Sequence, residues 1–112
     1  MRDIEALIEH INQFRDERDW RQFHNPKDLA ISLSLEAAEL LEVFQWKTSE
    51  QAIEENLENI KEELADVMIY ALMLSNDLDL DVKEMILEKM QKNAQKYPVE
   101  KSRGRNLKYS NL

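Results

Sequence analysis

A chain of 112 residues without cysteine is long enough for one domain with a modest core, and it excludes a disulfide scaffold, a thiolate metal site or a cysteine nucleophile. Apolar residues at 43% mark a globular protein, and one Gly with two Pro leaves little punctuation for hairpins, so the expected fold is all-α. The net charge of −8 is uneven: residues 1–88 hold 8 basic and 22 acidic side chains, whereas residues 89–112 hold 7 basic and 1 acidic. An acidic body argues against a nucleic-acid polymer as partner, and the basic end suits either an anionic ligand or the protein's own acidic surface. The start, MRDIEALIEHINQF, is charged throughout and does not read as a signal peptide; no run approaches a membrane span. These features suit the cytoplasm.

The first helix is expected from about Arg2 to Arg18, with Ile4, Leu7, Ile8, Ile11 and Phe14 at helical spacing as a core-facing stripe and His10 at its edge in a structural role. A connector follows, Asp19-Trp20-Arg21-Gln22-Phe23-His24, ending in Asn25-Pro26, an N-cap followed by a proline suited to the first helical position. Its aromatics admit two readings. Trp20 and Phe23 plug the end of a bundle while His24 caps or bonds backbone, or the rings stack a flat ligand with His24 as hydrogen-bonding partner.

The second helix, Pro26 to about Gln45, is apolar nearly all round, which points to burial on several faces and to cover from a second subunit. Thr48-Ser49-Glu50-Gln51 carries a capping-box pattern and opens a long third helix, reaching about Asn76 with a break near Glu55-Asn56. Asp81 and Glu84 open a fourth helix that runs to about Lys96. Lys89, Asn93 and Lys96 share one face there, either complementing the helix dipole or aimed at phosphates or a base edge. The division expected is a helical domain over residues 1–98 and a basic tail over 99–112, ordered only on dimer formation or ligand binding.

The chemistry lies in acids that sit on the wrong face. At about 100° per residue, Glu36 shares its direction with Leu29, Leu33, Leu40 and Val43, and Glu39 points between Leu35, Val43 and Trp46. The pattern recurs on the third helix, where Glu63 points with Ile60, Val67, Tyr70 and Leu74, and Asp66 with Met73. A single E-x-x-E pair is common on helix surfaces. Two pairs on apolar faces can converge, and four carboxylates cannot stay charged together in an apolar setting without cations. Oxygen-only ligation suits Mg²⁺, with Mn²⁺ next, rather than Zn²⁺. A di-iron carboxylate site would want Glu-x-x-His motifs, and neither histidine follows a glutamate at that spacing. Mg²⁺ held by a few carboxylates keeps positions for phosphate oxygens, so an acidic pocket with an anionic substrate makes sense through the metal.

Glu36-x-x-Glu39, Glu63-x-x-Asp66 and Lys89-x-x-x-Asn93-x-x-Lys96-Tyr97-Pro98, in that order, resemble the MazG-type all-α nucleoside triphosphate pyrophosphohydrolases. Arg18-Asp19-Trp20-x-Gln22-Phe23-His24-x-Pro26, Phe44-Gln45-Trp46-Lys47 and Lys108-Tyr109 are similar to the short dCTP pyrophosphatase branch. That branch often shows Gly-Glu-x-Gly-Glu-Leu where this chain has Leu35-Glu36-Ala37-Ala38-Glu39-Leu40, keeping both acids and replacing the glycines. The resemblance implies a four-to-five-helix MazG-like bundle completed by dimerisation, as a dimer or a homotetramer. It implies Mg²⁺-dependent cleavage of the α–β phosphate link of deoxynucleoside triphosphates, dCTP first and dATP or modified dCTP next, in nucleotide-pool house-cleaning. By matching position, Glu36, Glu39, Glu63 and Asp66 would hold metal and act in catalysis. Trp20, His24, Trp46 and Tyr70 would form the base and sugar pocket, with Asn93, Lys96, Tyr97 and, more weakly, Lys89 also touching substrate. The competing expectation is a non-catalytic helical oligomerisation or regulatory module, its acids paired with Lys and Arg across subunits.

Overall fold

The computed structural model describes residues 2–112, with the side chain of residue 2 left aside, and its regular elements are all helical among the described residues. The order is α1 (Arg2–Glu17), a 3-10 turn (Arg21–Phe23), α2 (Pro26–Phe44), α3 (Ser49–Asp77), α4 (Val82–Lys96), α5 (Val99–Ser102) and a second 3-10 turn (Tyr109–Asn111). No helix is long and apolar enough to cross a membrane among the described residues. The chain divides into two compact units, residues 1–80 and 81–112.

Helix boundaries in the first unit are set by side-chain caps. Asn25 accepts a 2.9 Å hydrogen bond from the Asp28 amide, and Pro26 follows it at the start of α2. Thr48 and Gln51 form the reciprocal capping box at α3: the Gln51 amide donates to Thr48 Oγ1 at 3.1 Å and the Thr48 amide to Gln51 Oε1 at 2.9 Å. The expected break in the third helix is at Asn56, whose φ −132°, ψ 30° leaves the helical region. The short connection between α2 and α3 returns the chain beside itself, and α2 packs along α3 as the main contact of the unit. α1 docks on α3 as well.

The fully buried apolar set is small. Leu29, Ala52 and Met73 anchor it in this unit. Sequence reading expects α2 to be covered on several sides; within the first unit its main partner is α3. Leu35 and Leu41 are accordingly 60% and 70% exposed, and Ile31 is also open. On α3, Leu64 and Met68 are exposed in the same way. Apolar positions this numerous on the outside of two packed helices form more surface than scattered single residues do.

In the second unit the Asp81 carboxylate caps α4 by accepting from the Glu84 amide at 2.9 Å, as expected. The stretch after Pro98 differs from the tail expected to order only on assembly. It forms α5 and the second 3-10 turn, and the Tyr109 ring meets Tyr97 edge-on at 6.0 Å with the Lys96 ammonium 4.9 Å from the Tyr109 ring centre. Those two contacts give a short polar segment something to fold against.

Candidate active site

Glu36 and Glu39 stand one turn apart on α2, and Glu63 faces them from α3. One carboxylate oxygen from each lies within 4.8 Å of the other two. The α2–α3 packing produces this convergence: both helices bury a stripe that includes an acid where a leucine would serve stability better. Glu36 Oε2 and Glu63 Oε2 are buried and have no hydrogen-bond partner, so each wants a proton or a cation. Burial, the adjacent Glu39 carboxyl and the charges of Asp66 and Glu63 push the Glu36 carboxyl up to about 7. Burial, then Glu39, Asp66 and Glu62, raise Glu63. Asp66, one turn beyond Glu63, stands outside the trio that shares the 4.8 Å spacing but is near enough for its charge to act on Glu36 and Glu63. Tyr70 extends the same face, its phenol raised by burial and by Glu36, Asp66 and Glu39.

This donor set fits a hard divalent cation. It is oxygen only, it is carboxylate rich, and two of its oxygens are desolvated with nothing else to bind. Bringing a cation there relieves the repulsion that otherwise forces protons onto the cluster.

The remaining expected ligand contacts come from other elements. Trp20 and His24 precede α2, whose start at Pro26 is roughly 15 Å along the axis from Glu36, while Trp46 follows its end at Phe44, roughly 12 Å in the opposite direction. The two tryptophans thus flank α2 at its opposite ends. Trp20 packs edge-on against Phe14 at 5.6 Å, which supports the plugging role, yet it stays 43% exposed. Trp46 is 93% exposed and holds φ 65°, a left-handed conformation that helix ends usually assign to Gly or Asn. A bulky aromatic in that conformation, with its ring packed on nothing, is a costly arrangement for stability alone. Lys89, Asn93, Lys96 and Tyr97 belong to the second unit, on or just beyond α4, and all are exposed.

Arg15 escapes any sequence pattern. It is fully buried, its guanidinium donating to both Asp77 carboxylate oxygens at 3.0 and 2.9 Å, to Asn12 Oδ1 at 2.6 Å and toward His24 Nδ1 at 3.4 Å. His24 thus bonds a buried arginine, not backbone. No periodicity signals a pair separated by 62 positions; the hint available was a charge on the inner side of α1 close to the apolar stripe.

The sequence pattern of the MazG-like family matches residues 31–112, which spans both acid pairs and the α4 face. The chain belongs to the MazG-like family. Among MazG-like relatives, dCTP pyrophosphatase 1 of Mus musculus is 39% identical over 105 residues, and that of Homo sapiens 37% over the same length. Each alignment covers 89% of this chain but 62% of the relative, so the chain spans about three fifths of the curated proteins it matches. A solved structure of a pyrophosphatase from Archaeoglobus fulgidus DSM 4304 is similar with a TM-score of 0.81 and 42% identity, covering 86% of this chain and 93% of that one. The fold so matched is the all-α MazG-like one, as expected from the order of the motifs.

Proposed function

We propose that this chain is a Mg²⁺-dependent deoxynucleoside triphosphate pyrophosphohydrolase that releases a nucleoside monophosphate and pyrophosphate. The observation that carries the reading is the Glu36–Glu39–Glu63 convergence with its two buried, partnerless oxygens. The similarity to proteins named dCTP pyrophosphatase supports the substrate class and puts dCTP first, with dATP or modified dCTP next. The role would be cytoplasmic nucleotide-pool house-cleaning.

A Mg²⁺ ion bound by Glu36, Glu39, Glu63 and Asp66 would neutralise phosphate charge and acidify the attacking water. The chain's own residues do the rest. With the ion bound, the four carboxylates would hold the triphosphate in place. A carboxylate of the cluster accepts the proton that water loses as the α–β bridge breaks, the bridging oxygen leaving with one phosphorus and the water oxygen staying on the other. Burial of the Glu36 and Glu63 oxygens beside apolar side chains lowers the local dielectric, which strengthens each electrostatic contact. Trp20, His24, Trp46 and Tyr70 supply the nucleoside end, and Lys89, Asn93, Lys96 and Tyr97 offer donors to substrate. Because Trp20 and Trp46 stand at opposite ends of α2, a complete pocket takes a second copy of the chain, as a dimer or homotetramer. The exposed apolar surface of α2 and α3 supplies the contact.

The test is to incubate the purified chain with Mg²⁺ and each deoxynucleoside triphosphate, measuring pyrophosphate against orthophosphate. Pyrophosphate release, fastest with dCTP, is expected. No turnover, with no metal-dependent change in melting temperature, overturns the reading and favours the non-catalytic helical module. Trp46→Ala is expected to raise KM for dCTP about tenfold while kcat changes little, as loss of one base-stacking contact does. A fall in kcat at constant KM removes Trp46 from the pocket.

A further inference from the structure

The sequence leaves Arg15 and Asp77 without a role, yet they build a polar cluster around a fully buried guanidinium in the first unit. All four terminal N–H groups of the guanidinium are committed: two to the carboxylate of Asp77, one to Asn12 and one toward His24. A guanidinium has donors and no acceptor. The nitrogen it approaches, His24 Nδ1, must therefore present a lone pair, which puts the imidazole proton on Nε2. The Arg15 carbonyl binds the same connector from below, accepting from the Trp20 amide at 2.9 Å. His24 lines a cleft of about 470 Å³ together with Arg21, Asn25, Asn76 and Asp77.

We propose that Arg15 and Asp77 are positioning residues for His24, fixing its ring in the neutral Nε2–H tautomer so that it is an obligate donor to the nucleoside end of the substrate. This rests on the reading above for what His24 touches, though the tautomer itself does not. Arg15 acts through His24, and Asp77 acts through Arg15 by holding the fork in plane. Lysine could carry the charge but not the geometry, because an ammonium cannot place four coplanar hydrogens. Burial and the Arg15 charge also lower the His24 pKa against the opposing pull of Asp77, and the Arg21 charge works in the same direction, which keeps the ring neutral. A base or sugar oxygen, an acceptor, is the group such a donor selects; a protonated amine at that place is rejected.

The experiment uses the full chain with a His10→Gln background, which leaves His24 as the only histidine. Two-bond ¹H–¹⁵N spectra then report the His24 tautomer in the free protein, and kinetics with dCTP and Mg²⁺ report KM and kcat. Three forms are compared: Arg15 with Asp77 intact, Arg15→Met/Asp77→Leu, and Arg15→Gln, whose amide can turn an acceptor oxygen to the ring. The double variant replaces the ion pair by apolar groups of similar size, an exchange that usually preserves folding. Melting curves check this, and Arg15→Gln serves as the second probe should the double variant unfold. The intact chain is expected to show Nε2–H alone. Both variants should show mixed tautomers and a KM about tenfold higher with kcat within about twofold, the size of one lost hydrogen bond. An unchanged tautomer in a folded variant overturns the proposal, as does a changed tautomer with unchanged KM. If the intact chain turns over no nucleotide, the functional reading fails by itself, while the tautomer spectra still decide whether Arg15 positions His24.

Discussion

Glu36→Gln is expected to lower pyrophosphate release by about a thousandfold while raising the melting temperature of the metal-free protein at pH 8. The two effects have one source. Glu36 brings an oxygen with no partner into a cluster of like charges, so its carboxylate is worth most when a cation is bound and costs most when none is. The pH dependence follows in sign. The Glu36 carboxyl titrates near 4.5 when unfolded and at about 7 when folded, so between those values the folded chain holds a proton the unfolded chain has released. The stability linked to that proton is complete below pH 4.5 and lost as pH rises through 7. Metal-free protein should therefore melt lower at pH 8 than at pH 5.5, Mg²⁺ should restore the loss at pH 8, and Glu36→Gln should flatten the profile. Thermal melts with and without chelator, beside the pyrophosphate assay, measure all three. A variant that keeps turnover, or that melts lower at pH 8 without metal, removes Glu36 from the metal site. Asp66→Asn should abolish turnover as well, because its charge acts on the same cluster, while leaving the chain folded.

Asp77→Ala produces the largest loss of stability, about 3 kcal/mol, or roughly 10 °C in melting temperature. Its carboxylate takes two charge-assisted bonds from a guanidinium that is fully buried, and removing it leaves that cation with Asn12 and a neutral imidazole. Arg15 holds the Asp77 carboxyl below the usual carboxylate range, so the pair's stability is present above about pH 3.8 and fades as pH falls through the depressed value. Urea titration at pH 7 and at pH 3 should show the variant's deficit shrinking at the lower pH. A deficit under about 1 kcal/mol at pH 7 would mean that water enters and solvates the arginine.

Much of this structure is visible in the residues, and the reasons are local. Asn25-Pro26, the Thr48–Gln51 box and Asp81 with Glu84 end and begin helices through bonds spanning three residues, so a reader of neighbouring letters finds them. Glu36, Glu39 and Glu63 are visible because helical periodicity puts them among leucines, and packing of α2 on α3 brings them together. Arg15 and Asp77 were hidden by the same logic: an arginine at the end of an apolar stripe and an aspartate read as part of a turn look solvated until two distant helix ends meet. The tail misled for a related reason. A polar stretch carrying one glycine lacks periodic apolar anchors, and Tyr109 finds its place against Tyr97 and Lys96 instead.

The Arg15–Asp77 link also bears on the order in which the first unit assembles. α2 and α3 are neighbours along the chain, joined by a few residues, so their pairing closes a short loop at small entropic cost and forms early. The link spans 62 positions and draws the end of α1 onto the end of α3, so it closes late. A contact absent from the rate-limiting barrier slows escape from the native state without hastening arrival there. The buried arginine is thus a latch on an already folded hairpin, and its measure is the lifetime of the native chain.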